Sequence, residues 1–387
     1  MKKIMCCLLA MMLLLSVMPA CASEQKLTGL TAAEIVAQMG LGWNLGNTFD
    51  AHHGNTRDVY SQEQSWGNPK VTPEMIRKVK EAGFKTIRIP VTWYRQLSKD
   101  GAYTINAAFM ARVKEVVDWA YAEGLFVIIN VHHEDTWLNV KNLDTDYEKI
   151  GVQLAAIWRQ VADTFAEYDQ HLIFEGMNEP RMKGGDQEWN GNKAAYAAVN
   201  YLNQVFVDTI RTDAKGHNGE RALMIPTYAA SSSSAQMQAL EIPQWNGAPA
   251  ENIIASVHCY TPYDFCLSDE MTNFNKLFTS HTMPIDMIFY SIKGIFLDKG
   301  IPVIIGETSA TNKDNTVARE NWAYYMGKKS ASYGVPIVIW DNGSHGNSGG
   351  ECHVWIERRG EELTPFPTVL NALFEGAASV EYGYLAK

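Results

Sequence analysis

The chain reads as an α/β protein, a (β/α)8 TIM barrel built as a single domain. Three observations predict this. Apolar runs of strand length alternate eight times with segments of helical spacing. One of those runs, Leu125 to Val131 (LFVIINV), is apolar on both faces, as suits a parallel strand covered on both sides. Polar residues gather at or just past the carboxyl ends of the runs, the face on which barrels build their sites.

Taken in order, the first strand is read over Leu41 to Gly46, leading into a long polar loop from Ala51 to Pro69. Thr72-Pro73-Glu74 is a helix start, with Thr as N-cap, Pro at the first helical position and an acid in the first turn. Gly83 closes that helix. Phe84 to Pro90 (FKTIRIP) is the second strand, and Phe109, Val113, Val116, Val117 and Ala120 mark the next helix. After the third strand, Ile150, Leu154, Ile157, Val161 and Phe165 recur at helical intervals. The fourth strand runs into Phe174 to Arg181 (FEGMNEPR), where Pro180 biases Glu179 toward extended backbone. A helix over Tyr196 to Ile210, a weak fifth strand over Ala222 to Pro226 and a short helix over Ser231 to Leu240 follow. Ile253 to Tyr260 is the sixth strand, with Pro284 to Lys299 helical behind it. Ile301 to Thr308 (IPVIIGET) is the seventh and Val335 to Trp340 the eighth, with helices near Ala318 to Met326 and Leu370 to Phe374.

The N-terminus stands apart from this pattern. Lys2 and Lys3 precede an apolar block from Ile4 to Met18, followed by small residues to Ser23. That is the order of a secretory signal peptide, residues 1–22, and the block falls short of a ~20-residue membrane span. Cleavage after Ala22 predicts a soluble secreted protein. Ala20-Cys21 is also a degenerate lipoprotein box that would anchor Cys21 at the cell surface, although Met18 fits it poorly. Residues 27–380 are then one catalytic domain, expected as a monomer, with no linker or appended module. Of the cysteines past the leader, Cys259 and Cys266 are close enough to bridge across a loop, with two buried thiols as the bland alternative.

With 46% hydrophobic residues the chain has ample material for a large core, and its formal charge of −10 argues against nucleic acid or an anionic membrane as partner. A neutral polymer fits better. The polar residues at the strand ends are Arg88, His132, Asn178, Glu179, His258, Tyr260, Glu307 and Trp340. Each has a dull explanation alone; a lone His132, for instance, is more often a core histidine. Six strands ending this way are harder to dismiss. Glu179 and Glu307 can cleave a glycosidic bond as a carboxyl pair, one protonating the leaving oxygen while the other attacks or activates water. Residue types do not assign the two roles, nor supply the separation, about 5–5.5 Å in retaining and about 6.5–9.5 Å in inverting enzymes. Arg88 is the cation to hold a nucleophile ionised, Tyr260 a donor to the same carboxylate, Trp340 a flat face for a pyranose, and Asn178 a partner for a ring hydroxyl.

Other chemistries lack their signatures. His132-His133-Glu134 is not read as a metal site, because neighbours on a strand point to opposite faces and no H-E-x-x-H spacing occurs. No G-x-S-x-G elbow marks a serine hydrolase, and no Gly-rich loop marks a nucleotide cofactor. No metal or cofactor is expected.

GWNLGNTFDA from Gly42, WGNP from Trp66, IRIPVTW from Ile87, NVHHE from Asn130, FEGMNEPR, HCYTPYDF from His258, PVIIGET from Pro302 and WDNG from Trp340 together resemble glycoside hydrolase family 5, in its bacterial endoglucanase branch. The resemblance implies a retaining double displacement, with Glu179 as acid/base and Glu307 as nucleophile. It implies a substrate shell of Arg88, His132, Asn178, His258, Tyr260 and Trp340, with Asn47 and His133 added more weakly. The expectation is a secreted endo-β-1,4-glucanase acting on β-linked polysaccharide. A xyloglucanase, mannanase or xylanase is the neighbouring reading, and a non-catalytic carbohydrate-binding barrel the distant one. The glycine-rich GSHGNSGGECH from Gly343 departs from the family pattern beside the sugar-binding surface.

Overall fold

The computed structural model describes residues 26–381, apart from Asp213; the leader and Cys21 lie outside them. Eight parallel strands close into a barrel: β1 (Gly42–Asn44), β2 (Thr86–Ile89), β3 (Phe126–Asn130), β4 (Leu172–Glu175), β5 (Leu223–Ser231), β6 (Ile253–His258), β7 (Val303–Thr308) and β8 (Ile337–Ile339). Neighbours in sequence are neighbours in the wall, and β8 returns to pair with β1. Eight helices follow the strands in turn: Pro73–Glu81, Ala107–Ala122, Leu143–Thr164, Lys193–Thr212, Ser234–Ala239, Thr279–Ile295, Thr316–Tyr333 and Pro367–Ala378.

Strand parity explains how the same wall carries both core and chemistry. Outward residues such as Ile87, Ile89, Val127, Ile129, Leu172 and Phe174 pack with the helices into the main core. The inward set changes character with height. Phe126, Ile128, Ile173, Met224, Ile254, Ile304 and Val338 fill the lower barrel, closed from below by Ile35, Val36 and Met39 of the helix Ala32–Met39. One step higher on the same parity come Asn44, which pairs with Arg88 of β2, Asn130, which pairs with Glu175, and Ser256. Alternation alone thus places a polar layer on an apolar floor.

The Thr72 hydroxyl accepts from Met75 N and Pro73 opens its helix, as expected. Two elements differ from the sequence reading. β5 runs to Ser231 instead of stopping at Pro226, but its pairing with β6 slips between those residues. Pro226 has no N–H for the ladder, and Ala229 and Ala230 take φ of 54° and 47°. The sixth outer helix begins at Thr279, so Pro284 lies inside it. Proline there has no N–H to give the carbonyl of Ser280 four residues back, so the helix runs on with one bond fewer in its second turn. Cys259, Cys266 and Cys352 are buried free thiols. No helix among the described residues is long and apolar enough to cross a membrane.

Candidate active site

The cleft lies over the carboxyl ends of the strands, with a volume of about 1100 Å³. Asn47, His132, His133, Asn178, Glu179, His258, Tyr260, Glu307 and Trp340 all line it. Arg88 does not; fully buried, it forms the floor on which the others stand.

That guanidinium is the hub. Its Nε donates to Glu175 Oε2 at 2.7 Å, Nη1 to Glu307 Oε1 at 2.8 Å and Asn44 Oδ1 at 2.9 Å, and Nη2 to Asn178 Oδ1 at 2.7 Å. Burial opposes its charge, but the carboxylates of Glu175 and Glu307 more than offset this and raise its affinity for the proton. Glu175 is in turn held by Asn130 Nδ2 at 2.9 Å and Ser256 Oγ at 2.8 Å. Asn178 thereby spends its oxygen on Arg88 and keeps its amide N–H groups for the cleft.

Glu307 and Glu179 face one another with His258 between them. A carboxylate oxygen of each and a ring nitrogen of His258 all lie within 4.8 Å of one another. The Tyr260 hydroxyl donates to Glu307 Oε2 at 3.0 Å. His258 Nδ1 is 2.8 Å from Glu179 Oε1 and 3.6 Å from Glu307 Oε2. Burial works against charge on both members of the Glu179–His258 pair. Attraction prevails: the bond and charge of His258 keep the Glu179 carboxyl below its ordinary range, and the charge of Glu307, then Glu179, keeps the imidazole above its own. On the other side of the ring Nε2 is buried and sits against Gly306.

His132 is buried, and Asn130 fixes its tautomer. The amide oxygen of Asn130 accepts from Val91 N, so its nitrogen faces His132 Nδ1 at 3.1 Å and the ring proton belongs on Nε2. Burial, with help from the charges of His133 and Arg88, keeps this ring neutral. His133 is likewise pushed down to about 3, chiefly by burial. Trp340 is parallel to His132, with centroids 6.1 Å apart, and its outer edge lies against Gly46. Asn47 stands at φ 53°, its N–H donating to Asp50 Oδ2.

His132 and His133 do not point to opposite faces, because β3 ends at Asn130 and both residues follow it. Their rings are 4.3 Å apart, and with an oxygen of Asp50 they form a trio within 4.8 Å that could hold an ion. Both Asp50 oxygens, however, already accept backbone N–H groups from Asn47 and Thr48.

Several contributors went unnoticed in the sequence. Glu175 lay inside a quoted motif, and its signal was available: an acid within one apolar run matched by Arg88 within another. Asn44, Asn130 and Ser256 offer no such mark. Trp189 and Tyr263, 57% and 63% exposed, give the cleft aromatic walls. Glu351, on the glycine-rich loop after β8, adds a fourth carboxyl; burial and then the charges of Glu307 and Glu179 raise its proton affinity.

Comparison with known proteins shows the family. A family model for cellulase, glycosyl hydrolase family 5, matches residues 47–346. Endoglucanase A of Ruminococcus albus is 40% identical over 366 residues, covering 92% of this chain and 95% of that protein. Among solved structures, a GH5-4 broad specificity endoglucanase from Clostridium longisporum superposes with a TM-score of 0.85 at 37% identity, covering 92% of this chain and all of the other. One from Ruminococcus champanellensis with bound cellotriose gives 0.83 at 38%, covering 90% and 99%.

Proposed function

The chain belongs to glycosyl hydrolase family 5 and is a glycoside hydrolase of endoglucanase type, and from that premise we propose that it cleaves internal β-1,4 bonds of β-glucans by a retaining double displacement. The observation that carries this is the approach of the Glu179 and Glu307 carboxylates to within 4.8 Å in an open cleft. That separation leaves room for a sugar carbon bonded directly to one carboxylate, and too little for an interposed water of the inverting kind, which needs about 6.5–9.5 Å.

Glu307 is the nucleophile. Arg88 and Tyr260 each hold one of its oxygens, so it is fixed before substrate arrives. It attacks the anomeric carbon while Glu179 passes a proton to the departing glycosidic oxygen, leaving a sugar esterified to Glu307. Glu179, now ionised, takes a proton from water, whose oxygen displaces Glu307 from the same carbon. His258 supports both steps because it shares one proton with Glu179 across 2.8 Å. In the open cleft the charged pair is favoured. A sugar that excludes water from Glu179 favours the neutral carboxyl instead, returning the proton to the acid. His132 Nε2–H, the Asn178 amide, His133 and Asn47 are the groups we assign to sugar hydroxyls, and Trp340 to a ring face.

The protein is further inferred to leave the cytoplasm through the leader at 1–22, as a monomer of catalytic domain 27–380, either free or anchored through Cys21. Glu307→Gln and Glu179→Gln assayed on soluble β-glucan, xyloglucan, xylan and glucomannan test the chemistry. We expect reducing-sugar release by the wild type to fall about 10³-fold or more in each variant, and newly formed ends to appear first in the β configuration. α-Configured products, or undiminished release by Glu307→Gln, would overturn the reading.

A further inference from the structure

The segment after Pro180 carries an arrangement that the roles above leave unused. Arg181 donates from Nε to Glu188 Oε1 at 2.9 Å, and from Nη1 to the Glu179 carbonyl at 3.1 Å and to Glu179 Oε2 at 3.3 Å. Its guanidinium lies 4.3 Å from the centroid of the Trp189 ring, which lines the cleft. The loop between them is pinned from behind. The Tyr228 hydroxyl accepts from Met182 N and donates to the Glu188 carbonyl at 2.8 Å, Gly184 N donates to Glu188 Oε2, and the Tyr196 hydroxyl donates to the Asn190 carbonyl. An aromatic face, a cation and a carboxylate are therefore stacked in fixed order from the cleft wall to Glu179.

We propose that Arg181 is a positioning residue that ties the sugar-stacking face of Trp189 to Glu179, holding the carboxylate oxygen that His258 leaves free and setting the pH at which the Glu179–His258 pair loses its shared proton. The inference rests on Glu179 being the acid/base. Facing Glu179 are His258 at the end of β6, Glu307 on β7, Tyr260 beyond β6, His133 beyond β3 and Glu351 on the loop after β8, with Lys183 and Glu188 behind Arg181. The guanidinium is the cation in direct contact with the second carboxylate oxygen of Glu179. It makes Glu179 a stronger acid toward the departing oxygen. Arginine suits both tasks, because its planar fork stacks on the indole while donating to two carboxylates; a lysine supplies the charge without that fixed geometry.

The test uses Arg181→Met, Arg181→Lys and Trp189→Ala in the full chain on soluble β-1,4-glucan. Losing the cation should move the alkaline limb of the kcat/KM profile up by roughly one pH unit. Arg181→Lys should bring the limb at least half way back while KM stays raised. Trp189→Ala should raise KM several-fold and shift the limb in the same direction by less. An alkaline limb unmoved in Arg181→Met, or not recovered by Lys, overturns the proposal. If the Met variant fails to fold, the limb of Trp189→Ala decides: displacement supports the link and coincidence with the wild type rejects it. Wild-type hydrolysis by Glu179→Gln would instead sink the acid/base assignment itself, whatever Arg181 does.

Discussion

Replacing Arg88 by methionine separates what holds the barrel together from what performs its chemistry. The side chain is fully buried and donates to Glu175, Glu307, Asn44 and Asn178 at 2.7–2.9 Å. Methionine fills similar volume but leaves two carboxylates facing one gap with no cation between them. Removing one member of a buried pair typically costs about 3–5 kcal/mol, because the remaining charge is uncompensated. Adding Glu175→Gln to that background removes the fully buried one of the two orphan charges and leaves Glu307, which opens on the cleft and keeps its bond from Tyr260. The glutamine oxygen can keep the bond from Asn130, and its amide can donate to Ser256, whose hydroxyl turns to accept. More than half of the lost stability should return. Activity should not, since Glu307 still lacks its 2.8 Å partner, and a deficit of about 10²–10³-fold is expected. Urea unfolding followed by tryptophan fluorescence gives the stabilities, and reducing-sugar release the rates. A single variant within about 1 kcal/mol of the wild type (the usual range of harmless substitutions is about ±0.5), or a double variant no more stable than the single, would refute the cradle argument.

Two further outcomes follow from the same geometry. The carboxylates raise the His258 proton affinity above its ordinary 6.5, so its contribution to stability is complete below pH 6.5 and is lost as pH climbs through the raised value. Glu179 is displaced the other way, and its contribution fades as pH falls below 4.5. His258→Gln should therefore be less stable than the wild type around pH 6 and converge with it at alkaline pH; parallel curves in urea titrations would contradict the pairing. Gly46→Ala places a Cβ 2.7 Å from the Asp341 carbonyl oxygen and 2.8 Å from the Trp340 ring. Overpacking of this kind costs about 1–3 kcal/mol, and the displaced indole should raise KM more than it lowers kcat. A wild-type melting temperature together with unchanged KM would show the contact to be soft.

Much of the barrel could be read in advance because its determinants are local. Hydrophobic spacing, the Thr72-Pro73 cap and glycines at helix ends act over a few residues, and they located all eight strands. Errors occurred where a local rule met a tertiary constraint. At β5, Pro226 looked like the end of the strand, yet β6 carries the chain on to Ser231, which pairs with His258 after a slip in register. At the helix Thr279–Ile295, Pro284 looked like a start and proved to be an interior residue.

The carboxylates, the histidines and Trp340 announced themselves by falling at strand ends, since strand order alone brings those ends to one face. Their separation could not be read that way. Glu179 and Glu307 are 128 positions apart, and closure of β8 onto β1 and the tilt of the walls determine how near they come. The same closure decides that Arg88 serves Glu175 and Glu307 together, that one proton is shared between His258 and Glu179, and that Arg181 lies beneath Trp189. Sequence determines which side chains a barrel carries to its rim, because periodicity is a property of neighbours along the chain. Which of them touch, and hence which are charged, is decided by packing across the barrel, because electrostatic energy depends on distance through space.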